Sequence, residues 1–263
     1  MRAMIFAAGL GTRLKPITDT LPKALVPVCS KPLLEHLIEK LKGAGYNSVV
    51  INVHHFAEKI REHVAQNNNF GMEVLFSDET DLLRETGGGI RHASKLLDDG
   101  EPFLVHNVDI LSNLNLEDFY EYHMSESISV DTPLATLLVS ERETARYFLF
   151  DSGNNLVGWM NKLSGEVKSP YAELRREPSQ GFDWEKFLKE NSLKNYAFAG
   201  THIISPHVFG LMEKWPEKFP IVDFYLQMAD KYIIKGYVMN NLKMVDVGKL
   251  DSLKEAEEFL LCK

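Results

Sequence analysis

Ala3 to Leu34 reads AMIFAAGLGTRLKPITDTLPKALVPVCSKPLL: a short apolar run, a glycine loop, then a proline-stiffened segment. Ala3 to Ala8 has the length of a strand and ends at Gly9. Glycines at 9 and 11 let the backbone approach a bound group closely. Turned amides in such a loop form a nest for phosphate oxygens, and Arg13 adds a permanently charged planar fork. Pro16, Pro22 and Pro27 stiffen the segment beyond the loop and carry Lys23 away from it on a defined path. The stretch reads as a strand-end triphosphate cradle with a separate lysine.

Two other uses of the same residues compete. A plain structural turn needs only Gly9 and Gly11. A dinucleotide fingerprint needs a third glycine, where Leu14 stands, and an acid after the second strand, which here ends in Asn52-Val53-His54. A nicotinamide oxidoreductase is disfavoured on both counts. No Gly-Lys-Ser/Thr follows, so this is not an ordinary ATPase phosphate loop.

With 44% hydrophobic and 25% charged residues among 263, the composition is that of a globular chain, long enough for one elaborated α/β domain. Net charge is −8 and the pI about 5.6, which argues against a broad nucleic-acid or anionic-membrane footprint. Phosphate must then be handled locally, by a few cations, amides and a metal. Cys29 and Cys262 give no disulfide framework. No signal peptide is read at Arg2 and no apolar run approaches bilayer length, so the expected location is cytoplasmic.

Strand-like and helical segments alternate through the first half. Leu33, Leu34, Leu37, Ile38 and Leu41 have helical spacing. Ser48 to Val53, Met72 to Phe76 and Phe103 to Val105 read as strands, and Ala57 to Ala65 and Gly87 to Leu97 as helices. This pattern predicts a Rossmann-like, mostly parallel sheet with helices on both faces, and ligands beyond the carboxyl ends of its strands. After residue 130 the pattern turns antiparallel: Pro133 to Ser140, Tyr147 to Phe150 and Leu156 to Met160, then Asn195 to Ile204, Ile233 to Met239 and Lys243 to Val247. A C-terminal helix is read from Leu250 to Leu261. The expectation is one domain over 1–263, with a nucleotide-binding half (1–130) and a smaller antiparallel sugar-side insertion and C-terminal helix (131–263). The polar segment 170–193 is a candidate lid or subunit contact, and the chain is expected to be a monomer or homodimer.

Asp109 follows the strand FLVHN at its carboxyl end, where an acid serves equally as a turn or helix cap. Asp246 lies in Met244-Val245-Asp246-Val247-Gly248, either facing solvent in an alternating strand or paired in an apolar one. Glu85-Thr86-Gly87-Gly88-Gly89 is either a flexible helix entry or an anion-facing one. The nine histidines show no zinc spacing.

Gly9-x-Gly11-Thr12-Arg13-Leu14-x-Pro16, with Pro22-Lys23 and Pro27, resembles the signature of the sugar-1-phosphate nucleotidylyltransferases. The resemblance runs over nearly the whole chain and is weakest over 168–194. It implies transfer of a nucleotidyl group from a nucleoside triphosphate to a sugar 1-phosphate, with release of pyrophosphate. It also implies a magnesium ion on Asp109 and Asp246, from matches to the family's strand-end Gly-Asp and C-terminal Asp-Val/Ile-Gly; Val108 stands where that glycine is usual. By the same resemblance Ala8, Gly9, Gly11, Thr12, Arg13, Glu85, Gly87 and Gly88 meet the nucleotide, and Asn107, Lys162 and Gly200 the sugar side. Arg13 and Lys23 serve the phosphates, Asp223 lies near the sugar, and the glycines after Thr86 allow flat contact with the base. Val53-His54-His55, Glu85 to Gly89 and the short C-terminus are most similar to the uridylyltransferases acting on N-acetylmuramate 1-phosphate in cell-wall recycling. Mannose-1-phosphate guanylyltransferases carry much of the same signature. A nucleotide-sugar sensor without catalysis is the alternative of another class, disfavoured by the full set of two cations and two acids.

Overall fold

The computed structural model describes residues 1–126 and 132–261. Cys262 and the expected change of pattern at 130 lie outside the described residues. In chain order, β1 (Arg2–Phe6) leads through 3-10 turns and the small hairpin β2 (Pro27–Val28) and β3 (Lys31–Pro32) into α1 (Leu33–Gly43). Next come β4 (Ser48–Val53), α2 (Ala57–Gln66), β5 (Glu73–Asp78), α3 (Glu85–His92), α4 (Ser94–Leu97), β6 (Phe103–Asn107), β7 (Ile110–Ser112) and α5 (Leu116–Glu126). The second half supplies β8 (Ala135–Ser140), β9 (Arg146–Phe150), β10 (Leu156–Asn161), β11 (Glu166–Lys168), α6 (Trp184–Glu190) and β12 (Lys194–Ile204). It closes with α7 (Val208–Met212), α8 (Ile221–Met228), β13 (Ile234–Val238), β14 (Met244–Asp246) and α9 (Asp251–Leu261).

Among the described residues one ten-stranded sheet runs β11-β10-β9-β12-β6-β1-β4-β5, with β8 and β13 attached through β12. The β6-β1-β4-β5 part is parallel, and β12 joins it antiparallel through Thr201 to Ile204. The fold is therefore α/β with a mixed sheet, parallel in the first half of the chain and again where β13 pairs with β8, so the second half is not wholly antiparallel as expected. Long β12 also pairs with β9 and β8, so the antiparallel strands extend the same sheet.

Alternation in the central strands explains the two layers of core. Ala3, Ile5, Val49 and Ile51 pack in one cluster with α1, while Met4, Val50 and Val105 pack in another with Phe103 and Phe224. Successive side chains of a strand point to opposite faces, so β1 and β4 must be apolar throughout to be covered twice. Each fully buried Ile, Val or Leu contributes roughly 1.5–3 kcal/mol relative to exposure. Helix α1 presents Leu33, Leu34, Leu37, Ile38 and Leu41 to this layer.

Three buried histidines tie polar chemistry into the core. His202 on β12 hydrogen-bonds the Tyr225 hydroxyl at 2.6 Å, and His123 on α5 meets Thr136 Oγ1 and Ser205 Oγ at 2.8 and 3.2 Å. Burial pushes His106 and His123 down to about 4 and His202 to about 3. These native values lie below the unfolded value near 6.5, so the unfolded chain takes up protons that the native core refuses. Stability is complete above about pH 6.5 and declines as pH falls toward 4. The urea midpoint is expected to be lower at pH 5 than at pH 7.5; an equal or higher midpoint at pH 5 contradicts this.

Candidate active site

The carboxyl ends of β1 and β6 carry the residues that gather. Past Phe6 the chain leaves the sheet, and Asn52, a polar residue at the end of apolar β4, receives it. Asn52 Oδ1 accepts the Ala7 N–H at 2.7 Å and the Ala8 N–H at 3.2 Å, which shapes the entry to the glycine loop. The Asn52 amide donates in turn to Glu79 Oε1 at 2.8 Å, and Glu79 Oε2 accepts the Arg84 N–H at 3.0 Å. Glu79 is fully buried, and both its oxygens have partners. This Asn52–Glu79 brace went unrecognised in the sequence; the signal for it was an asparagine in an otherwise apolar strand.

Gly11 has φ of +63°, and a Cβ there would lie 2.9 Å from Thr18 Cγ2 and 3.2 Å from Lys23 Cβ. Thr18 Oγ1 donates to Gly11 O at 2.8 Å, so the loop is tied to the segment that carries Lys23. Thr12 and Arg13 lie exposed on the 3-10 turn that follows. Lys23 starts its own 3-10 turn after Pro22, and its ammonium is paired with Asp109 Oδ2; both side chains are mostly sheltered.

The pairing of β14 with β7 sets Asp246 opposite Ile110, next to Asp109, and the Val247 N–H donates to Asp109 O at 2.8 Å. Gly248 completes the link. A Cβ on it would sit 2.8 Å from Asp246 Oδ1 and 2.9 Å from Arg13 Nη2, so the carboxylate and the guanidinium flank one glycine. Asp246 is open on one side, yet its carboxyl is raised above the usual range, first by desolvation and then by the charge of Asp109. Lys23, Arg13 and Arg142 pull the other way. An acid whose ionisation is opposed by a neighbouring carboxylate, with cations around it, makes a set that a hard divalent ion suits. Among the described residues no group of three His, Cys, Asp or Glu forms a metal cluster, so protein would supply two ligands and leave the rest to phosphate and water.

Ala8, Gly9, Lys23, Glu85, Asn107, Val108 and Asp109 line one cavity of about 260 Å³, with Glu79 and Asn52 at its wall. No protein atom comes within 4 Å of a Cβ built on Gly9. Val108 is buried with an ordinary backbone, its N–H donating to Phe6 O at 3.2 Å, so valine fits where a glycine is usual in the family. Glu85 takes φ of +60°, an uncommon conformation for a non-glycine residue at the cavity rim. Gly200, at φ +74°, backs onto Asn107: a Cβ would come 2.6 Å from Asn107 Nδ2.

Of the expected site residues, Gly11, Thr12, Arg13, Lys162, Gly200 and Asp246 are outside this cavity's lining, as are Gly87 and Gly88. The N–H groups of Gly87 and Gly88 donate to Phe219 O at 2.9 and 3.1 Å, and a Cβ on them would run into the Phe219 ring and Glu217 O. The packing of 217–219 on α3 requires their small size. Gly88→Ala is expected to cost about 1–3 kcal/mol, since backbone must yield. Wild-type stability on urea unfolding would contradict that. Lys162 is exposed, with its ammonium 4.6 Å from the Tyr147 ring centre, and is not part of the cavity lining. Arg142 was missed, because nothing local separates it from a solvated loop arginine.

Residues 2–263 match the nucleotidyl transferase family. The chain belongs to that family. The N-acetylmuramate alpha-1-phosphate uridylyltransferase of Caulobacter vibrioides is 44% identical over 109 residues, 41% of this chain and 45% of the relative. The Danio rerio mannose-1-phosphate guanylyltransferase catalytic subunit beta is 39% identical over 125 residues, 47% of this chain and 34% of the relative. The chain thus matches half or less of these relatives' lengths. In fold it is similar to HddC from Yersinia pseudotuberculosis complexed with GMP-PN, with a TM-score of 0.70 and 22% identity over 98% of this chain and 99% of that one. The mostly parallel sheet with its Rossmann-like arrangement is the architecture of that nucleotide-binding neighbour. No helix among the described residues is long and apolar enough to cross a membrane.

Proposed function

We propose that this nucleotidyl transferase family member joins a nucleoside triphosphate to a sugar 1-phosphate and releases pyrophosphate. The observation that carries this is the gathering of Arg13 and Lys23 with Asp109 and Asp246, from three separate parts of the chain, around the end of β1 and β6. A binder of neutral ligands has no use for two acids pressed together among cations.

Asp109 and Asp246 would hold a magnesium ion, which when bound draws charge off the phosphate oxygens. The chain's own residues do the rest. Amides of the Ala8 to Thr12 loop and Arg13 orient the triphosphate, with Asn52 and Glu79 fixing the start of that loop. Lys23 reaches the phosphates at the reacting centre from the opposite segment. The sugar phosphate dianion attacks the α-phosphorus in line, the bond to the β-phosphate oxygen breaks, and pyrophosphate leaves. A phosphate dianion is a competent nucleophile at neutral pH, so no protein base is required.

UTP with N-acetylmuramate 1-phosphate is the preferred pair, supported by the uridylyltransferase relative. Mannose 1-phosphate with GTP is the second pair, supported by the guanylyltransferase relative. Pyrophosphate release from UTP, GTP, CTP, ATP and dTTP against a panel of sugar 1-phosphates tests both. UTP with N-acetylmuramate 1-phosphate is expected to give the highest kcat/KM. Release from no combination would leave the nucleotide-sugar sensor as the better account.

A further inference from the structure

Beside the nucleotide cavity lies a second one of about 360 Å³, walled by β9, β10, the loop from Glu141 to Ala145 and the start of α8. Three links hold the two together. Phe198 lines this second cavity two residues before Gly200, which backs Asn107 in the first. Ile221 N–H donates to Thr86 Oγ1 at 2.9 Å, and Thr86 lines the first cavity while Pro220 and Val222 line the second. Arg142 lines the second and reaches the β12 backbone at Phe198, on the strand that runs on to Gly200.

Its lining combines an aromatic floor with an excess of positive charge. Phe148, Trp159 and Lys168 stand opposite one another across β9, β10 and β11, so they share a sheet face. Arg146, two residues before Phe148, belongs to the same face. The Lys168 ammonium lies 5.4 Å from the Trp159 ring centre. Against Arg142, Arg146 and Lys168 the cavity sets one acid, Asp223. In a chain of net charge −8 this local excess departs from the background. Among the described residues neither Arg142 nor Arg146 has an ion-pair partner within 4 Å, and Lys168 has only Glu166 at 3.8 Å. Arg142 donates at 3.4 Å to Phe198 O.

A neutral sugar 1-phosphate carries one anionic group, and Arg142, which donates to Phe198 O two residues before the Gly200 that backs Asn107, is placed to meet it. That leaves, among the described residues, Arg146 without an acid within 4 Å and Lys168 with only the long contact to Glu166. We propose that this cavity selects sugars bearing a carboxylate in addition to the 1-phosphate, with Arg146 and Lys168 as its carboxylate-binding residues. The proposal rests on the sugar-phosphate reading of the site. A guanidinium fork and an ammonium on one face suit a carboxylate, while the Trp159 and Phe198 rings take the apolar face of the sugar.

The test compares N-acetylmuramate 1-phosphate with N-acetylglucosamine 1-phosphate, which lacks only the carboxylate-bearing ether, and adds glucuronate 1-phosphate to separate that ether from a ring carboxylate. With the best nucleoside triphosphate, a carboxylated sugar is expected to exceed the neutral one by about tenfold to a hundredfold in kcat/KM. Arg146→Gln and Lys168→Gln should each shrink that preference about tenfold, mainly through KM, and Arg146→Lys should keep part of it. Equal use of neutral and carboxylated sugars, or equal losses on both in the variants, overturns the proposal. If no pair turns over, the transfer reading fails, and calorimetric binding of the same sugar phosphates still decides: tighter binding of the carboxylated sugar supports the carboxylate site, equal or weaker binding overturns it.

Discussion

Asp109→Asn is expected to lower pyrophosphate release by at least about a thousandfold, the loss of roughly 4 kcal/mol of transition-state stabilisation. The substitution keeps the shape and an oxygen acceptor but removes the charge that pairs with Lys23 and opposes that of Asp246. Asp246 remains to face the surrounding cations, so the fold is retained and the urea midpoint stays close to wild type. The same substitution should bring the Asp246 carboxyl back toward its ordinary range, since the Asp109 charge is one of the two causes that raise it. Pyrophosphate release at the wild-type rate in a folded Asp109→Asn protein would remove Asp109 from the chemistry.

Lys23→Ala comes next, with an expected loss of about a hundredfold to a thousandfold in kcat/KM. Lys23 is held by Pro22 and its own 3-10 turn, its Cβ packs near Gly11, and its ammonium meets Asp109. A cation placed so rigidly at the junction of loop and acid acts on the reacting phosphates rather than on the distant base. KM for the sugar phosphate should therefore rise more than KM for the nucleotide. Lys23→Arg should restore little, because a broad planar fork cannot replace a compact ammonium in contact with one carboxylate oxygen. Equal rises in both KM values would assign Lys23 to general electrostatics instead.

The legible parts of the sequence owe their clarity to local chemistry. An apolar run, two glycines and three prolines announce β1, its loop and the path to Lys23 without any distant information. β4 and α1 were readable because a short, near-continuous apolar run in Ser48 to Val53 and a period of 3.6 in Leu33 to Leu41 differ so clearly. Helix α5 was not read: its buried side chains, Leu116, Phe119 and His123, do fall at helical spacing, but only two of the three are apolar and they sit among acids and tyrosines. Strand β7, three residues long, is too short to announce itself, yet its pairing with β14 is what sets Asp246 beside Asp109. Gly87 and Gly88 show the limit from the other side. Glycines before a helix suggest a ligand, but the contact that requires them comes from Phe219, far along the chain. Arg142 owes its place to the loop after β8 and to its nearness to β12, neither of which a single arginine in a polar loop reveals.

The claim at the centre is that Asp109 and Asp246 hold one divalent cation between them for a bound nucleotide. Calorimetric titration of the best nucleoside triphosphate, with and without magnesium, tests it without requiring turnover. Magnesium is expected to tighten binding to the wild-type protein, and Asp109→Asn and Asp246→Asn should each abolish that tightening. Magnesium-dependent tightening that survives in either variant would contradict a shared site.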